Sequence, residues 1–459
     1  MSCEFAFPAT SNEYCSDNMV LQAPNTDWLA QAAALMPDAV ALITDDGHAV
    51  SYAHLDEMAA RAADRYADAG VSAGDVTPVA IGDVDADLIA GLWARWRLGM
   101  APIVVDARSA VHARWAKKAE ALADAAQQSE SQLHTVVLTS GSSGEPRPVR
   151  LTHRNVATAI AASVHRLGNS SADRWLLTLP LFHIGGLSIL WRSAAAGGAA
   201  VIHRRFQPDR VAAAFRNGSV TVASLVPTML YRLLEVDPGP YPGMRAVLLG
   251  GAAASRELVE RGLEAGLPIL QTYGMTETCS QVTTVVPGEE IDSLGTAGRP
   301  LPGVTIRTGE VGVGEIVVSG EMVSPGYLGE ADRENGHPTG DIGYVDENGR
   351  LVVLGRADGM VVTGGENVHP NRVANILSGH PAIAEVEVVG IPDPEWGQAL
   401  VAIVVGTAAA QASIESWARQ ELLRHEIPKK WIFVDALPLQ AGGKVDRVAL
   451  DDIARGEIS

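Results

Sequence analysis

The stretch TVVLTSGSSGEPRP, residues 135–148, places a short apolar run directly before a loop of glycines and hydroxyl residues. A helix-like stretch begins near Thr152, so the loop is predicted to link a strand to a helix. Backbone N–H groups of such a loop can wrap a polyphosphate, to which Arg147 adds positive charge. The loop lacks the Lys-Ser/Thr pair of a Walker A motif, which disfavours an ordinary P-loop ATPase. On composition alone, a flexible loop is the alternative interpretation.

Around this loop, from about Ala39 to Leu270, short apolar runs alternate with longer amphipathic stretches. Strands that alternate with helices predict parallel sheets with right-handed crossovers. The runs that predict strands are Ala39–Ile43, Val76–Ile81, Pro102–Val105, Thr135–Leu138, Trp175–Leu179, Ala199–Ile202, Val220–Leu225, Ala246–Leu249 and Pro268–Gln271. Because these units exceed one small doubly wound domain, we expect two such subdomains. A single eightfold barrel is the competing interpretation.

The pattern changes near Ser293. Residues 294–354 are rich in glycine and short β-branched runs, which predicts a small antiparallel β unit. After Arg356 the remaining chain predicts an α+β domain of about 100 residues. The predicted fold is therefore α/β. A large N-terminal domain, residues 1–355, holds two doubly wound subdomains and the small β unit, and a small mobile α+β C-terminal domain spans 356–459 with a hinge near Asp358.

The chain has 459 residues, of which 47% are hydrophobic, and a formal net charge of −19. This charge argues against a protein that coats nucleic acid. Three cysteines, no secretory signal and no apolar run of about 18 residues predict a cytoplasmic protein without a membrane span. Only five lysines occur, at 117, 118, 429, 430 and 444. A saline cytoplasm and GC-rich coding both explain this acidic, lysine-poor composition.

Four further segments could carry chemistry. The segment Gln271–Thr278 follows a predicted strand. Here Glu277 could bind Mg²⁺, Thr276 could bond a phosphate oxygen, and the Tyr273 ring could cover a base. The alternative is a helix start capped by Thr276. Asp341 of Thr339–Asp341 could accept ribose hydroxyls or occupy an ordinary turn. Lys444 follows two glycines on a loop and could equally be a surface lysine. His183 could line a pocket or cap a helix.

Together and in this order, these five segments resemble the adenylate-forming superfamily of acyl-CoA synthetases, nonribosomal adenylation domains and luciferases. The resemblance covers about residues 27 to 450. It implies that ATP, Mg²⁺ and coenzyme A are used. The implied roles are as follows: Thr139, Ser140, Gly141, Ser142, Ser143, Gly144 and Arg147 at the β- and γ-phosphates; Gly251, Ala252, Thr272, Tyr273 and Gly274 around adenine; Thr276 and Glu277 at the α-phosphate and Mg²⁺; Asp341 and Arg356 at ribose; Lys444 between carboxylate and α-phosphate; Gly364 and Gly365 along the pantetheine tunnel.

The family's phosphate loop usually ends in Pro-Lys-Gly, whereas this chain has Pro146-Arg147-Pro148. Arginine keeps the charge but not the compact ammonium geometry, and Pro148 removes a backbone donor. The reaction that the resemblance implies has two steps. A carboxylate attacks the α-phosphate of ATP, and a thiol then displaces AMP. Because only the first step needs Lys444, we expect the small domain to rotate about Asp358 between the steps.

The stretches Leu179–Ser193 and Gln271–Gln281 resemble o-succinylbenzoate–CoA ligases of menaquinone biosynthesis. That substrate carries a second carboxylate, for which Arg192 is the predicted partner. His183 and Ser188 are further predicted substrate-binding residues, and His183 is also a predicted catalytic residue. Arg192 lies nine residues after His183, about 900° along a regular helix, so the two point apart if the helix already includes His183. A snorkelling arginine is the alternative.

Three other functions stay open at this point. The chain could act on another aryl or medium-chain acid, load a separate carrier protein, or bind a nucleotide without catalysis. The sequence also leaves open whether the protein forms a homodimer.

Overall fold

The computed structural model describes residues 27–108, 117–118, 133–139, 147–309, 312–357, 359–363, 366–393, 396–422, 425–440 and 443–456. The helices are α1 (Trp28–Leu35), α2 (Tyr52–Asp68), α3 (Ala86–Arg97), α4 (His153–Leu167), α5 (Ile184–Ala196), α6 (Pro208–Arg216), α7 (Pro227–Val236), α8 (Arg256–Glu264), α9 (Pro370–Leu377), α10 (Gln411–Glu421) and α11 (Arg447–Arg455). Within these described ranges, no helix is both long enough and apolar enough to cross a membrane.

The strands of the first half are β1 (Val40–Ile43), β2 (Ala49–Ser51), β3 (Val76–Ile81), β4 (Ala101–Asp106), β5 (Leu133–Thr139), β6 (Arg147–Thr152), β7 (Arg174–Leu177), β8 (Ala199–Ile202), β9 (Val222–Leu225), β10 (Ala246–Leu249), β11 (Ile269–Met275) and β12 (Ser280–Thr284). They continue with β13 (Arg299–Pro300), β14 (Thr305–Thr308), β15 (Gly314–Ser319), β16 (Gly326–Tyr327), β17 (His337–Val345), β18 (Leu351–Arg356), β19 (Val361–Thr363), β20 (Glu366–Val368), β21 (Ile383–Asp393), β22 (Gly397–Gly406) and β23 (Lys430–Val434).

Two mainly parallel sheets form the large part of the molecule. The first has the strand order β13-β12-β11-β10-β9-β7-β8-β1-β2, and its strands from β11 to β1 pair in parallel. The second has the order β16-β6-β5-β4-β3, with β3, β4 and β5 parallel. Both sheets are open, since each ends in edge strands. The prediction of two doubly wound subdomains is therefore confirmed, and the eightfold barrel is wrong.

Two further sheets follow in the chain. Strands β14, β15, β17 and β18 form an antiparallel sheet, as predicted for the small β unit. The last sheet has the order β20-β19-β22-β21, with β23 beside β22, and α9, α10 and α11 accompany it in the chain. This is the predicted α+β segment. The domain boundary after residue 355 stays a prediction, and the predicted hinge residue Asp358 lies outside the described residues.

The structure corrects two local predictions. Strand β6 lies between the glycine-rich loop and helix α4, and it pairs antiparallel with β5, with Thr139 opposite Arg147. The loop therefore joins two antiparallel strands and does not lead directly into a helix. Strand β11 does not end before Tyr273 but runs on to Met275, because residues 272–275 pair antiparallel with β12. A 3₁₀ turn, Thr276–Thr278, follows.

A buried aromatic cluster lies between the two parallel sheets. Trp96 of α3 stacks on His134 of β5 with ring centroids 5.1 Å apart, and Trp191 of α5 contacts both rings edge-on. His134 and Trp191 belong to different subdomains, so the cluster packs one subdomain against the other. Aromatic pairs contribute about 0.5–1.5 kcal/mol beyond the burial of their area. The position of α5, which carries Arg192, is therefore tightly determined by its packing.

Candidate active site

The carboxyl ends of β7 and β9 define a crevice in the largest sheet. From β7 the chain passes through α5 to β8 on one side, and from β9 it passes through α7 to β10 on the other. A reversal of strand order of this kind is where open α/β sheets bind ligands. His183 lies in the connection that follows β7, and Thr228 lies in the connection that follows β9. The predicted site residues are therefore expected to lie around this crevice.

The predicted ribose and adenine residues come together. The Tyr273 hydroxyl donates a hydrogen bond of 2.6 Å to Oδ2 of Asp341. Asp341 lies opposite Arg356 in the β17–β18 pair, and an Arg356 nitrogen lies 3.8 Å from Oδ1 of Asp341. Burial raises the pKa of the Tyr273 hydroxyl, and the charge of Asp341 raises it further. Asp341 thus sits within a strand, in an ordered polar cluster, and not in a simple turn.

The hairpin of β11 and β12 requires a glycine at Gly274. A Cβ atom at this position would lie 1.6 Å from the carbonyl oxygen of Ser280. The Thr272 hydroxyl donates to the Thr283 carbonyl at 2.7 Å, so this side chain stabilises the hairpin. Thr272 and Gly274 therefore shape the hairpin that carries Tyr273. Their predicted contacts with adenine would come from their backbone atoms.

Glu277 faces a tyrosine that the sequence analysis missed. Its Oε1 accepts a hydrogen bond of 2.8 Å from the Tyr327 hydroxyl. The Arg147 guanidinium lies over the Tyr327 ring, 3.3 Å from its centroid, and forms an ion pair of 2.8 Å with Glu330. Through Tyr327, Arg147 of the predicted phosphate loop is linked to Glu277. No short-range pattern signalled Tyr327, which lies 50 residues after Glu277 in the chain.

The side chain of Glu277 fits the Mg²⁺ that the sequence predicts. Magnesium is usually held by one or two carboxylates together with substrate phosphates and water. Across the described parts of the chain, no group of three or more His, Cys, Asp or Glu side chains could hold a metal ion by itself. A single carboxylate suits a metal ion that arrives together with the phosphates of a substrate. Glu277 is half-buried, and Thr276 precedes it in the 3₁₀ turn.

Lys444 reaches the same crevice from the C-terminal part of the chain. Its Cε lies 3.5 Å from the position that a Cβ on Gly251 would occupy, just beyond the end of β10. Gly251 has a positive φ of 81°, and Ala252 beside it is exposed. The Lys444 residue keeps an exposed surface, yet surrounding protein atoms desolvate its ammonium group and lower its pKa. The predicted catalytic lysine therefore meets the predicted adenine-slot residues.

Several predicted residues cannot be placed. Ser140, Gly141, Ser142, Ser143 and Gly144 of the phosphate loop lie outside the described residues. The same holds for Gly364 and Gly365 of the predicted pantetheine tunnel. Thr139, at the end of β5, donates a hydrogen bond of 3.4 Å to the Arg147 carbonyl.

The acid-binding candidates lie on or beside α5. His183 has extended backbone angles, φ −113° and ψ 146°, and the helix begins at Ile184. The opposition of His183 and Arg192 expected for a helix that includes His183 therefore does not apply. The ring of His183 lies 4.7 Å from that of Phe182. Ser188 is buried and donates its hydroxyl to the Gly185 carbonyl at 3.0 Å, so its predicted contact with substrate would compete with this bond.

Arg192 is a buried cation. Only 2% of the residue is exposed, which excludes the snorkelling alternative. Its guanidinium donates to Ser280 Oγ at 3.3 Å and lies 5.4 Å from the centroid of the Trp175 ring. Within the described residues, no carboxylate oxygen lies within 4.0 Å of an Arg192 nitrogen, and Nε has no hydrogen-bond partner. Burial lowers its pKa to about 10, while Cys279 acts in the opposite direction. Arg192 therefore has capacity left for an anionic partner.

Comparison with protein families gives a match over two segments. Residues 110–328 match the AMP-binding enzyme family, and residues 372–444 match the AMP-binding enzyme C-terminal domain. A 2-succinylbenzoate–CoA ligase of Bacillus subtilis is 34% identical over 489 aligned positions, which cover 96% of this chain and 100% of the relative. This chain belongs to the AMP-binding enzymes.

Other comparisons match this AMP-binding enzyme to relatives over nearly the whole of both chains. A 2-succinylbenzoate–CoA ligase of Bacillus licheniformis is 34% identical, with 94% of this chain and 99% of the relative covered. The solved o-succinylbenzoate CoA synthetase of Bacillus subtilis in complex with its acyl-adenylate intermediate has a TM-score of 0.81 at 32% identity, covering 93% of this chain and 98% of that chain. The same Bacillus subtilis enzyme with ATP and a magnesium ion has a TM-score of 0.80 at 31% identity, covering 94% and 99%.

Proposed function

We propose that this AMP-binding enzyme is an ATP-dependent 2-succinylbenzoate–CoA ligase, which forms the acyl-CoA through an acyl-adenylate in menaquinone (vitamin K2) biosynthesis. The observation that carries the proposal is the end-to-end similarity to 2-succinylbenzoate–CoA ligases, one of which is matched over its entire length. The geometry supports it, because Lys444 lies beside Gly251 at the end of β10, and Tyr273 of the neighbouring strand β11 is hydrogen-bonded to Asp341.

In the first step, a carboxylate oxygen of the acid attacks the α-phosphorus of ATP, and pyrophosphate leaves with the electrons of the broken P–O bond. The reaction brings anions together, so cationic groups in a desolvated site lower its barrier. Lys444 supplies one such group from beside Gly251. Asp341 and Tyr273 would hold the ribose end of the nucleotide, and Thr276 would bond the α-phosphate. Mg²⁺, held by Glu277, would neutralise phosphate charge.

In the second step, the thiolate of coenzyme A attacks the acyl carbon, and AMP leaves with the electrons of the broken C–O bond. This step uses no proton or charge from Lys444. Gly364 and Gly365 are the proposed lining of the path for the pantetheine arm. A hinge near Asp358 would let the C-terminal domain, residues 356–459, rotate, so that Lys444 leaves the site and this path takes its place. Positioning supplies much of the rate in both steps.

The second carboxylate of 2-succinylbenzoate needs a cation, and Arg192 is the proposed one. It lies buried on α5, which begins directly after His183, and it donates a hydrogen bond to Ser280. A hydrogen bond to a charged group contributes about 1.5–3 kcal/mol, which favours a dicarboxylate over a plain aryl acid by about 10- to 150-fold.

The test is pyrophosphate release with ATP, Mg²⁺ and 2-succinylbenzoate, with and without coenzyme A, beside a panel of benzoates and fatty acids. We expect turnover selective for 2-succinylbenzoate and a CoA thioester of matching mass. Turnover with other acids alone would keep the reaction and overturn the substrate. Absence of pyrophosphate release with every acid would overturn the reaction itself.

A further inference from the structure

Helix α7 carries a face that contacts the C-terminal part of the chain. Thr228, in the first turn of α7, donates a hydrogen bond of 2.6 Å to the carbonyl oxygen of Gly443. This bond joins residues 215 positions apart. Gly443 directly precedes Lys444, so the accepting carbonyl belongs to the peptide group that joins Gly443 to the proposed catalytic lysine.

Hydrogen bonds tie the described residues on either side of Lys444 to one another. The Gly443 N–H donates to the Gln440 carbonyl at 2.9 Å, and the Gln440 N–H donates to the Lys444 carbonyl at 2.7 Å. An antiparallel bridge between Leu439 and Val445 closes the loop. Gly443 has a positive φ of 78°, and a Cβ there would lie 3.5 Å from Thr228 Oγ1. A hydrogen bond to Gly443 therefore positions the backbone of Lys444 over the end of β10.

A positively charged residue, Arg232, lies one turn further along α7. Arg232 follows Thr228 by four residues, so both side chains lie on one face of the helix. Burial raises the pKa of Glu385 in β21, and the positive charge of Arg232 partly offsets this rise. Glu387, two residues further along β21, is also desolvated, with a raised pKa. Arg232 thus offers a counter-charge to a desolvated acidic edge of the C-terminal part.

We propose that Thr228 is a latch on α7 that holds the C-terminal part in the orientation that places Lys444 in the crevice. Thr228 is then a positioning residue, which acts through Lys444 and touches no reacting atom. The inference rests on the proposed acyl-adenylate reaction but not on the identity of the acid. Because the second step requires Lys444 to leave, the latch favours the first step and must open before the second.

The experiment compares Thr228→Val with Thr228→Ser, since valine has a similar shape without the hydroxyl and serine restores the donor. Adenylate formation is measured as pyrophosphate release without coenzyme A. Thioester formation is measured separately from synthetic acyl-adenylate and coenzyme A. We expect Thr228→Val to slow adenylate formation by about 2- to 12-fold, the range for one hydrogen bond, and to leave thioester formation unchanged or faster. Thr228→Ser should recover most of the loss.

A double-variant cycle separates positioning from general stability. In a Lys444→Ala background, Thr228→Val should cause no further loss of adenylate formation, because nothing remains for the latch to position. Equal slowing of both half-reactions, an unchanged adenylation rate, or full additivity with Lys444→Ala would overturn the latch.

Failure of the proposed function would be visible in the wild-type protein. If the wild type adenylates only an acid other than 2-succinylbenzoate, the substrate is wrong and the same variants are compared with that acid. The ratio of variant to wild-type rates in each half-reaction then still decides the latch.

Discussion

The Tyr273 hydroxyl donates a hydrogen bond of 2.6 Å to the carboxylate of Asp341, and this bond joins the largest sheet to the antiparallel β unit. The two residues are 68 positions apart in the chain. Asp341 has 14% of its side chain exposed, so its carboxylate depends on neighbouring donors. The nucleotide end of the site is therefore built from two sheets whose relative position this pair helps to maintain.

Replacing Tyr273 with phenylalanine should weaken both the fold and ATP binding. A hydrogen bond to a charged acceptor contributes about 1.5–3 kcal/mol, so the free energy of unfolding should fall by up to that amount. The KM for ATP should rise because Asp341 loses its orientation. Urea denaturation and steady-state kinetics measure the two effects. Tyr344→Phe is the control, since within the described residues the Tyr344 hydroxyl has no hydrogen-bond partner. Equal behaviour of the two variants would contradict the prediction.

Gly274→Ala should destabilise the hairpin of β11 and β12. The new Cβ would lie 1.6 Å from the Ser280 carbonyl oxygen, so the two strands must separate. Overpacking of this kind costs about 1–3 kcal/mol or more. Thermal denaturation should show a lower Tm. Gly82→Ala serves as the control, because its Cβ would meet its nearest neighbour at an ordinary 4.0 Å. A Tm as high as that of the control would argue against the clash.

Arg192→Leu should lower kcat/KM for 2-succinylbenzoate by about 10- to 150-fold while sparing benzoate-like acids. The physical reason is the loss of the buried cation that we propose as the partner of the second carboxylate. Arg192→Lys keeps the charge without the planar fork, so it should recover part of the activity. Competition between the two acids in one reaction mixture measures the selectivity directly. Unchanged selectivity would leave Arg192 as a structural residue held by Ser280 and Trp175.

Lys444→Ala should reduce adenylate formation by about 10²- to 10³-fold, the loss typical of one group that stabilises transition-state charge. Conversion of synthetic acyl-adenylate and coenzyme A should persist. Because desolvation lowers the pKa of Lys444, adenylation by the wild type should decline at alkaline pH below the ordinary lysine range. Lys444→Arg should lack this decline. Equal loss of both half-reactions in Lys444→Ala would remove the lysine from its proposed role.

The protein should lose stability as the pH falls below about 6.5, the pKa of an unfolded histidine. Burial holds the pKa of His134 well below its usual value, and His153 lowers it further. The unfolded chain therefore binds a proton that the folded chain does not, which costs about 1.4 kcal/mol per pH unit. His134→Phe should reduce the slope of unfolding free energy against pH below about 6.5 by the contribution of one proton. Parallel curves for the wild type and His134→Phe would refute this origin.

Local pattern predicted much of the fold. Strands Val76–Ile81, Ala199–Ile202 and Ala246–Leu249 and helix Pro370–Leu377 have the bounds expected from the sequence. These are short apolar runs or an amphipathic helix bounded by polar residues, so their burial follows from their own composition. The resemblance to adenylate-forming enzymes is also confirmed, because its motifs recur at matching separations over nearly the whole chain.

Local pattern failed where pairing partners decide the structure. Arg147–Thr152 contains two arginines and a proline, yet it forms a strand because β5 and β16 pair with its two edges. Residues 272–275 likewise join β11 through their pairing with β12. β-Structure depends on the neighbouring strand more than on the segment itself, so these strands could not be predicted from a single segment.

The sequence by itself determined the alternation of strands and helices, the order of the motifs and, through them, the reaction class of this protein. Only the tertiary structure decided that Arg192 is buried beside Ser280, that Tyr327 faces Glu277, and that Thr228 holds the loop of Lys444. These pairs are separated by 88, 50 and 215 residues. The periodicity of a segment reports which of its faces is buried. Which distant residue meets that face depends on how the sheets and helices pack, and only the folded chain specifies that.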